Sequence, residues 1–113
     1  AIVGNEGLVG VAWLMGGEAT TSRAVAQNAG AGYRLGAGIL NAEFARGGPL
    51  QHLALRYTQA LMAQMTQTGA CNRHHALDQQ LCRWLLLSLD RLPGDVLTIV
   101  QDWKTTYASA TRW

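Results

Sequence analysis

The sequence predicts an α+β protein, and three observations support that class. The first half carries short apolar runs separated by glycine-rich turns, a pattern typical of strands. From Leu50 onward, apolar residues recur every three or four positions, which indicates a long amphipathic helix. A β-branched run at residues 96–100 follows a second helical pattern. This order suggests a sensing or assembly domain, a pairing helix and the start of a second domain.

The composition favours a folded chain with a partner. A chain of 113 residues normally forms one domain, and 49% hydrophobic residues suffice for a core. Only 14% of the residues are charged, so we expect a partner chain or further sequence to cover some apolar surface. A net charge of +2 is too small to indicate nucleic-acid binding by itself.

Cysteine usage and hydropathy predict a cytoplasmic protein. The chain has two cysteines, no secretory signal pattern and no apolar run long enough to cross a membrane. Free thiols in a reducing compartment are the simplest interpretation. Because the chain opens without Met inside an apolar run, we expect it to be part of a longer protein.

The first half is predicted to be mostly strands and turns. Residues 1–3 fit the end of a strand, and residues 4–7 form a glycine-bounded turn. The apolar run at residues 8–15 fits either a short buried helix or a strand, since its periodicity decides nothing. Residues 20–27 and 33–35 suit strands, and residues 37–46 suit a short helix.

The long helix is predicted over residues 50–68, with Pro49 at its first turn. It would span roughly 28 Å, more than one small lobe needs, so its apolar stripe is predicted to be a dimer interface. A purely intramolecular core is the alternative. Leu55 and Met62 lie seven residues apart and widen the stripe. The predicted interface consists of Leu50, Leu53, Ala54, Tyr57, Leu61 and Met65.

A polar hinge at residues 72–75 is predicted to separate this helix from the next. The second helix begins at residue 76, 77 or 78 and extends to Leu92. Residues 96–100 then form the best strand pattern in the chain. The predicted buried face of the second helix consists of Leu77, Leu81, Trp84, Leu85, Ser88, Leu89 and Leu92.

Four segments together resemble the Crp/Fnr family of bacterial transcription regulators. They are the Gly-Asn-Glu-Gly-Leu-Val-Gly-Val loop at residues 4–11, the Ser-Arg-Ala step at 22–24, the Cys-Asn-Arg-His-His hinge at 71–75, and Leu-Asp-Gln-Gln-Leu-Cys-Arg-Trp-Leu-Leu at 77–86. The similarity covers the chain up to about Val100. It implies a β-roll effector domain, a dimerisation helix and a winged helix-turn-helix domain that binds promoter DNA.

The resemblance also implies domain boundaries for a chain truncated at both ends. Residues 1–48 would be the C-terminal part of the β-roll with its phosphate-binding loop. Residues 49–75 would be the dimerisation helix and hinge, and residues 76–113 an incomplete DNA-binding domain. The tail at 102–113 lacks the length and apolar pattern for two more helices. No DNA-contacting residue is therefore assigned, and we expect no specific DNA binding by these 113 residues alone.

The effector-binding candidates implied by the family are Gly10, Ser22, Arg23 and Ala24. In cyclic-nucleotide-binding members a loop glutamate takes the ribose hydroxyl, and Val11 stands in its place here. The hydroxyl and the arginine also occur in reversed order. A cyclic nucleotide is the ligand that the family suggests, the missing carboxylate argues against it, and no cofactor is assigned. Arg23 could hold another anion, or could be solvated or paired with Glu18.

Metal binding and catalysis have weak support. Cys71, His74, His75 and Cys82 are ligand types for zinc or iron, but their spacing matches no strong signature, which favours a structural hinge without metal. The histidine pair could sense pH or could be solvated. No Ser-His-Asp order, carboxylate pair or P-loop appears, so an enzyme is not predicted.

The main functional hypothesis is a homodimeric bacterial transcription regulator of the Crp/Fnr type, with DNA binding in the full-length parent. The alternative is a helical protein-interaction or dimerisation module without DNA binding. A nucleotide sensor that has lost its output domain is a third hypothesis.

If the stripe is the dimer seam, Leu61→Asp should break the dimer, because a carboxylate would be buried between apolar side chains. Light scattering would measure this, and a wild-type chain that is a stable monomer would contradict the dimer hypothesis.

Overall fold

The computed structural model describes residues 1–20 and 23–97, and helices are the regular structure in those ranges. No strand occurs there, so the predicted α+β class is wrong and the described chain is all-α. The four helices are α1 (Val11–Leu14), α2 (Ala37–Ala45), α3 (Pro49–His74) and α4 (Leu77–Leu89).

The predicted partial β-roll is also wrong. Residues 1–3 and 33–35 are irregular, as are the described parts of the segments predicted as strands at 20–27 and 96–100. A short extended segment is stable only when another strand pairs with its N–H and C=O groups, and a local sequence pattern does not specify that strand. The absence of strands in the described residues also contradicts the resemblance to Crp/Fnr regulators and the predicted cyclic-nucleotide-binding-like domain. The predictions made for residues 98–113 lie outside the described residues.

The helices of the first half are short. The ambiguous apolar run becomes the single turn α1, which Gly10 enters at φ +96° and Gly16 leaves at φ +85°. These left-handed values favour glycine. Helix α2 agrees with the helix predicted at residues 37–46, and Glu43 pairs with Arg46 at 2.7 Å across one turn.

Helix α3 is longer than predicted. Pro49 occupies its first position, where a missing N–H costs nothing. The helix runs for 26 residues, about 39 Å at a rise of about 1.5 Å per residue. Gly69 does not end it, because one interior glycine costs only about 1 kcal/mol. The predicted hinge therefore shrinks: residues 72–74 are helical, and the chain breaks at His75, whose φ and ψ are −105° and 147°.

Glutamine side chains organise the break between α3 and α4. The Gln79 Oε1 atom accepts the N–H of Ala76 at 3.1 Å, which caps the start of α4. The Gln80 Nε2 atom donates to the carbonyls of Asn72 and His75 at 3.2 and 2.9 Å. The last carbonyls of a helix lack partners within that helix, so Gln80 ties the end of α3 to the start of α4.

Residues 1–9, which we name the N-terminal strap, connect the other ends of these two helices. The Gly7 N–H donates to the Gly4 carbonyl at 3.1 Å, which confirms the predicted turn. Glu6 Oε1 lies 2.8 Å from Arg91 Nε, just beyond α4, and Gly7 lies against the hydroxyl of Tyr57 in α3. Because Tyr57 and Arg91 lie near one short turn, α3 and α4 fold back on each other as a hairpin.

The buried positions hold small side chains. Ala54, Thr58, Cys71 and Ser88 are each at most 8% exposed, and no large side chain is fully buried among the described residues. The hydroxyls of Thr58 and Ser88 donate to the carbonyls four residues earlier, at 2.8 and 2.9 Å. These buried polar atoms are therefore satisfied within their own helices. Small residues let neighbouring segments approach closely, but they remove little apolar area from water.

Replacing Gln80 should weaken the hairpin. Gln80→Ala removes the hydrogen bonds to the carbonyls of Asn72 in α3 and His75 at the break, and we expect a loss of about 1 kcal/mol of unfolding free energy. Urea denaturation followed by circular dichroism measures the change. Gln59→Ala, at an exposed position of α3, is the control and should cost little. Equal stability of the Gln80 variant and the wild type would contradict the assigned role.

Candidate interaction surface

An uncovered apolar surface runs along α3. Leu55, Met62 and Met65 are exposed by 51%, 50% and 55%. Contiguous apolar surface of this kind marks an interaction site more often than a solvated face. Because α3 is a regular helix, the spacing of these residues decides which of them share one side.

Leu55, Met62, Met65 and Gly69 lie on one side of α3, and we name this set the outer row. Their separations of seven, three and four residues are those of a seam between paired helices. A Cβ atom built on Gly69 would meet nothing within 4 Å, so the space in front of this position is open. The outer row therefore offers two flexible methionines, one leucine and an unobstructed stretch of backbone to a second helix.

The charges of α3 are few and of one sign. The helix contains Arg56 and Arg73 and no Asp, Glu or Lys. The outer row itself is uncharged, so covering it requires no burial of an ion. Two arginines on a 26-residue helix also give little repulsion between copies at physiological ionic strength, where exposed charges are screened beyond about 8 Å.

The structure divides the six residues predicted for the dimer interface. Ala54 is buried, Tyr57 and Leu61 are half-buried, and Leu50, Leu53 and Met65 are exposed. The middle of the predicted stripe thus contacts its own chain, whereas its ends are open. Their role in dimerisation stays a prediction.

Sequence reasoning treated Leu55 and Met62 only as residues that widen the stripe. The structure makes them the centre of the open surface. The separation of seven residues between Leu55 and Met62 is the sequence signal that could have indicated this surface. It was overlooked because the predicted stripe was taken as the whole interface.

The face predicted as buried in α4 agrees largely with the structure. Leu81, Trp84, Leu85 and Leu89 are half-buried and Ser88 is buried. Leu77 differs, since it is 67% exposed at the first turn, where α4 has just left α3. Leu86, on the opposite side of α4, is exposed to the same extent. Helix α4 therefore uses one side for the hairpin.

The described effector candidates do not form one site. Gly10 lines a groove of about 440 Å³ together with Trp13 and Leu35. Among the residues that line this groove, the charged one is Glu18. Arg23 and Ala24 are exposed and do not line that groove, and Ser22 lies outside the described residues. A carboxylate in an apolar groove disfavours a bound anion. The assignment of these residues to an effector stays a prediction.

The cysteines and histidines are likewise dispersed. Cys71 is buried and its sulfur accepts from Gln67 Nε2 at 3.4 Å, whereas Cys82 is exposed on α4. His74 and His75 are exposed at the end of α3. In residues 1–20 and 23–97, no three His, Cys, Asp or Glu residues are placed to hold one metal ion. None of the helices described is both long enough and apolar enough to cross a membrane.

Comparison with known proteins identified no similar protein. No protein-family model matches the chain, and neither curated proteins nor solved structures give a match.

The two thiols should differ in reactivity. A thiol reagent reaches Cys82 at once, but reaches Cys71 only when α3 opens, because Cys71 is 5% exposed. Titration with a chromogenic disulfide should show one fast and one slow thiol per chain, and both fast in urea. Cys82→Ser should remove the fast phase alone. Two fast thiols in the native protein would contradict the packing described for Cys71.

Proposed function

We propose that this chain is a helical self-association module that pairs two copies through the outer row of α3, without a role in DNA binding. The observation that carries the proposal is the half-exposed, uncharged line of Leu55, Met62 and Met65 along a 26-residue helix. A second copy presents the same line. Two such helices can interdigitate their side chains in the manner of a coiled coil.

The energy balance predicts a weak, concentration-dependent association. Burying the exposed half of a Leu or Met side chain contributes about 1 kcal/mol. The three such side chains of the outer row in each copy must together offset the translational and rotational freedom that association removes. The extent of pairing is therefore expected to depend on the protein concentration.

The all-α class favours this module over a DNA-binding regulator. A regulator of the Crp/Fnr type would need a β-roll effector domain, and residues 1–20 and 23–97 contain no sheet. Sequence-specific DNA binding in a longer parent stays an untested expectation. The pairing surface of α3, by contrast, lies wholly within the described residues.

Met62→Asp should prevent pairing, because it places a carboxylate at the centre of the outer row, where pairing would remove it from water. We expect the association constant to fall at least tenfold, measured by sedimentation equilibrium over a range of protein concentrations. Ala63→Asp is the matched control, since it adds the same charge at an exposed position about 100° around α3 from Met62, outside the outer row.

Met62 suits this test better than the half-buried Leu61, whose replacement also disturbs the fold of a single copy. Circular dichroism should give equal helix content for the wild type and both variants. A wild-type protein that stays monomeric at millimolar concentration would overturn the proposed function, and so would equal association of the Met62 and Ala63 variants.

A further inference from the structure

The outer row is symmetric about Met62. Leu55 lies seven residues before Met62 and Gly69 lies seven residues after it, and all three positions are exposed. Helix α3 extends from residue 49 to residue 74, so Met62 is also one of its two middle residues. A twofold axis through Met62, perpendicular to the helix, would therefore align two copies of α3 along almost their whole length.

We propose that two copies of α3 pair in antiparallel orientation about this axis, so that Leu55 of each copy fills the space in front of Gly69 of the other. The inference rests on the proposed function and adds the orientation of the second copy. Met62 then lies against its equivalent at the centre of the pair. Towards each end of the pair, one leucine meets one glycine.

The sizes of the side chains favour this orientation. Leu55 is 51% exposed, and a Cβ atom on Gly69 would meet nothing within 4 Å. A projecting side chain and an open space thus occur at equal distances from Met62, and an antiparallel pair brings them together. A parallel pair would place Gly69 against Gly69, while the larger side chains at residues 55, 62 and 65 hold the two backbones apart. The atoms lining the resulting gap would lose van der Waals contacts.

The charges on α3 favour the same orientation. Arg73 lies 18 residues after Leu55, which is five helical turns, so it lies on the side of the outer row. In a parallel pair the two Arg73 side chains would lie side by side. In the antiparallel pair they are about 33 Å apart along the axis, far beyond the screening length of about 8 Å. The positive N-terminal end of each helix also adjoins the negative C-terminal end of the other.

Disulfide formation between introduced cysteines tests the orientation directly. The full-length chain carries Cys82→Ser, which removes the exposed native thiol. Leu55→Cys, Gly69→Cys and an equal mixture of the two are oxidised under the same conditions, and mass spectrometry identifies the linked peptides. A disulfide requires Cα atoms within about 7 Å of each other. In the antiparallel pair equivalent copies of residue 55, or of residue 69, lie about 21 Å apart along the axis, so only the mixture should form covalent dimers.

Gly69→Leu gives a second measurement, in which the two orientations predict changes of opposite sign. In the antiparallel pair the new side chain competes with Leu55 for one space, so the association constant from sedimentation equilibrium should fall at least about fivefold. In a parallel pair it would fill the gap and raise the constant. Ala70→Leu is the matched control, because it adds the same side chain at the next exposed position, about 100° around α3, and should leave association unchanged. Circular dichroism should show no loss of helix in either variant, since leucine favours helix at least as well as glycine and nearly as well as alanine.

The outcomes separate the orientation from the pairing itself. Met62→Cys is the positive control, because Met62 meets its equivalent in either orientation and should link to itself. If it does not link and the wild type stays monomeric, the proposed function and the orientation are both overturned. If it links, but Leu55→Cys and Gly69→Cys each link to themselves or Gly69→Leu associates more tightly, pairing stands and the antiparallel orientation is overturned. Links confined to the mixture, together with weaker association of Gly69→Leu, support the orientation.

Discussion

The packing of α3 through small side chains is the constraint on which the rest of the structure depends. Ala54, Thr58 and Cys71 are its buried positions, and none of them removes much apolar area from water. Four of the leucines and methionines of α3, Leu53, Leu55, Met62 and Met65, are at least half exposed. This helix of 26 residues therefore presents apolar surface that the described part of the chain leaves exposed.

The hairpin that results is fastened at both ends by polar contacts. At the closed end, Gln80 supplies donors to carbonyls that α3 cannot satisfy itself. At the open end, Glu6 of the strap reaches Arg91. Both contacts lie where water reaches them in part, since the Gln80 hydrogen bonds are exposed and the ion pair joins the half-exposed Glu6 to the less exposed Arg91.

Helices were predictable here where their signals are local. The start of α3 at Pro49 and the extent of α2 follow from short-range patterns, because each helical hydrogen bond joins residues four apart. Strands were predicted wrongly at residues 1–3 and 33–35, since a strand depends on a distant partner that no local pattern specifies. The end of α3 was also misplaced. Gly69 and the polar run after Cys71 suggested an early stop, and the hydrogen bonds of Gln80 carry the helix to His74.

The sequence by itself determined that α3 is amphipathic, uncharged along its apolar side and too long for a small lobe, because composition and spacing are properties of the chain alone. Only the tertiary structure decided which part of that apolar side is open. The strap contacts the hydroxyl of Tyr57, and Leu55 and Met62 stay exposed. Exposure depends on contacts between residues far apart in sequence, Gly7 with Tyr57 and Glu6 with Arg91, and a periodic pattern contains no information about such pairs.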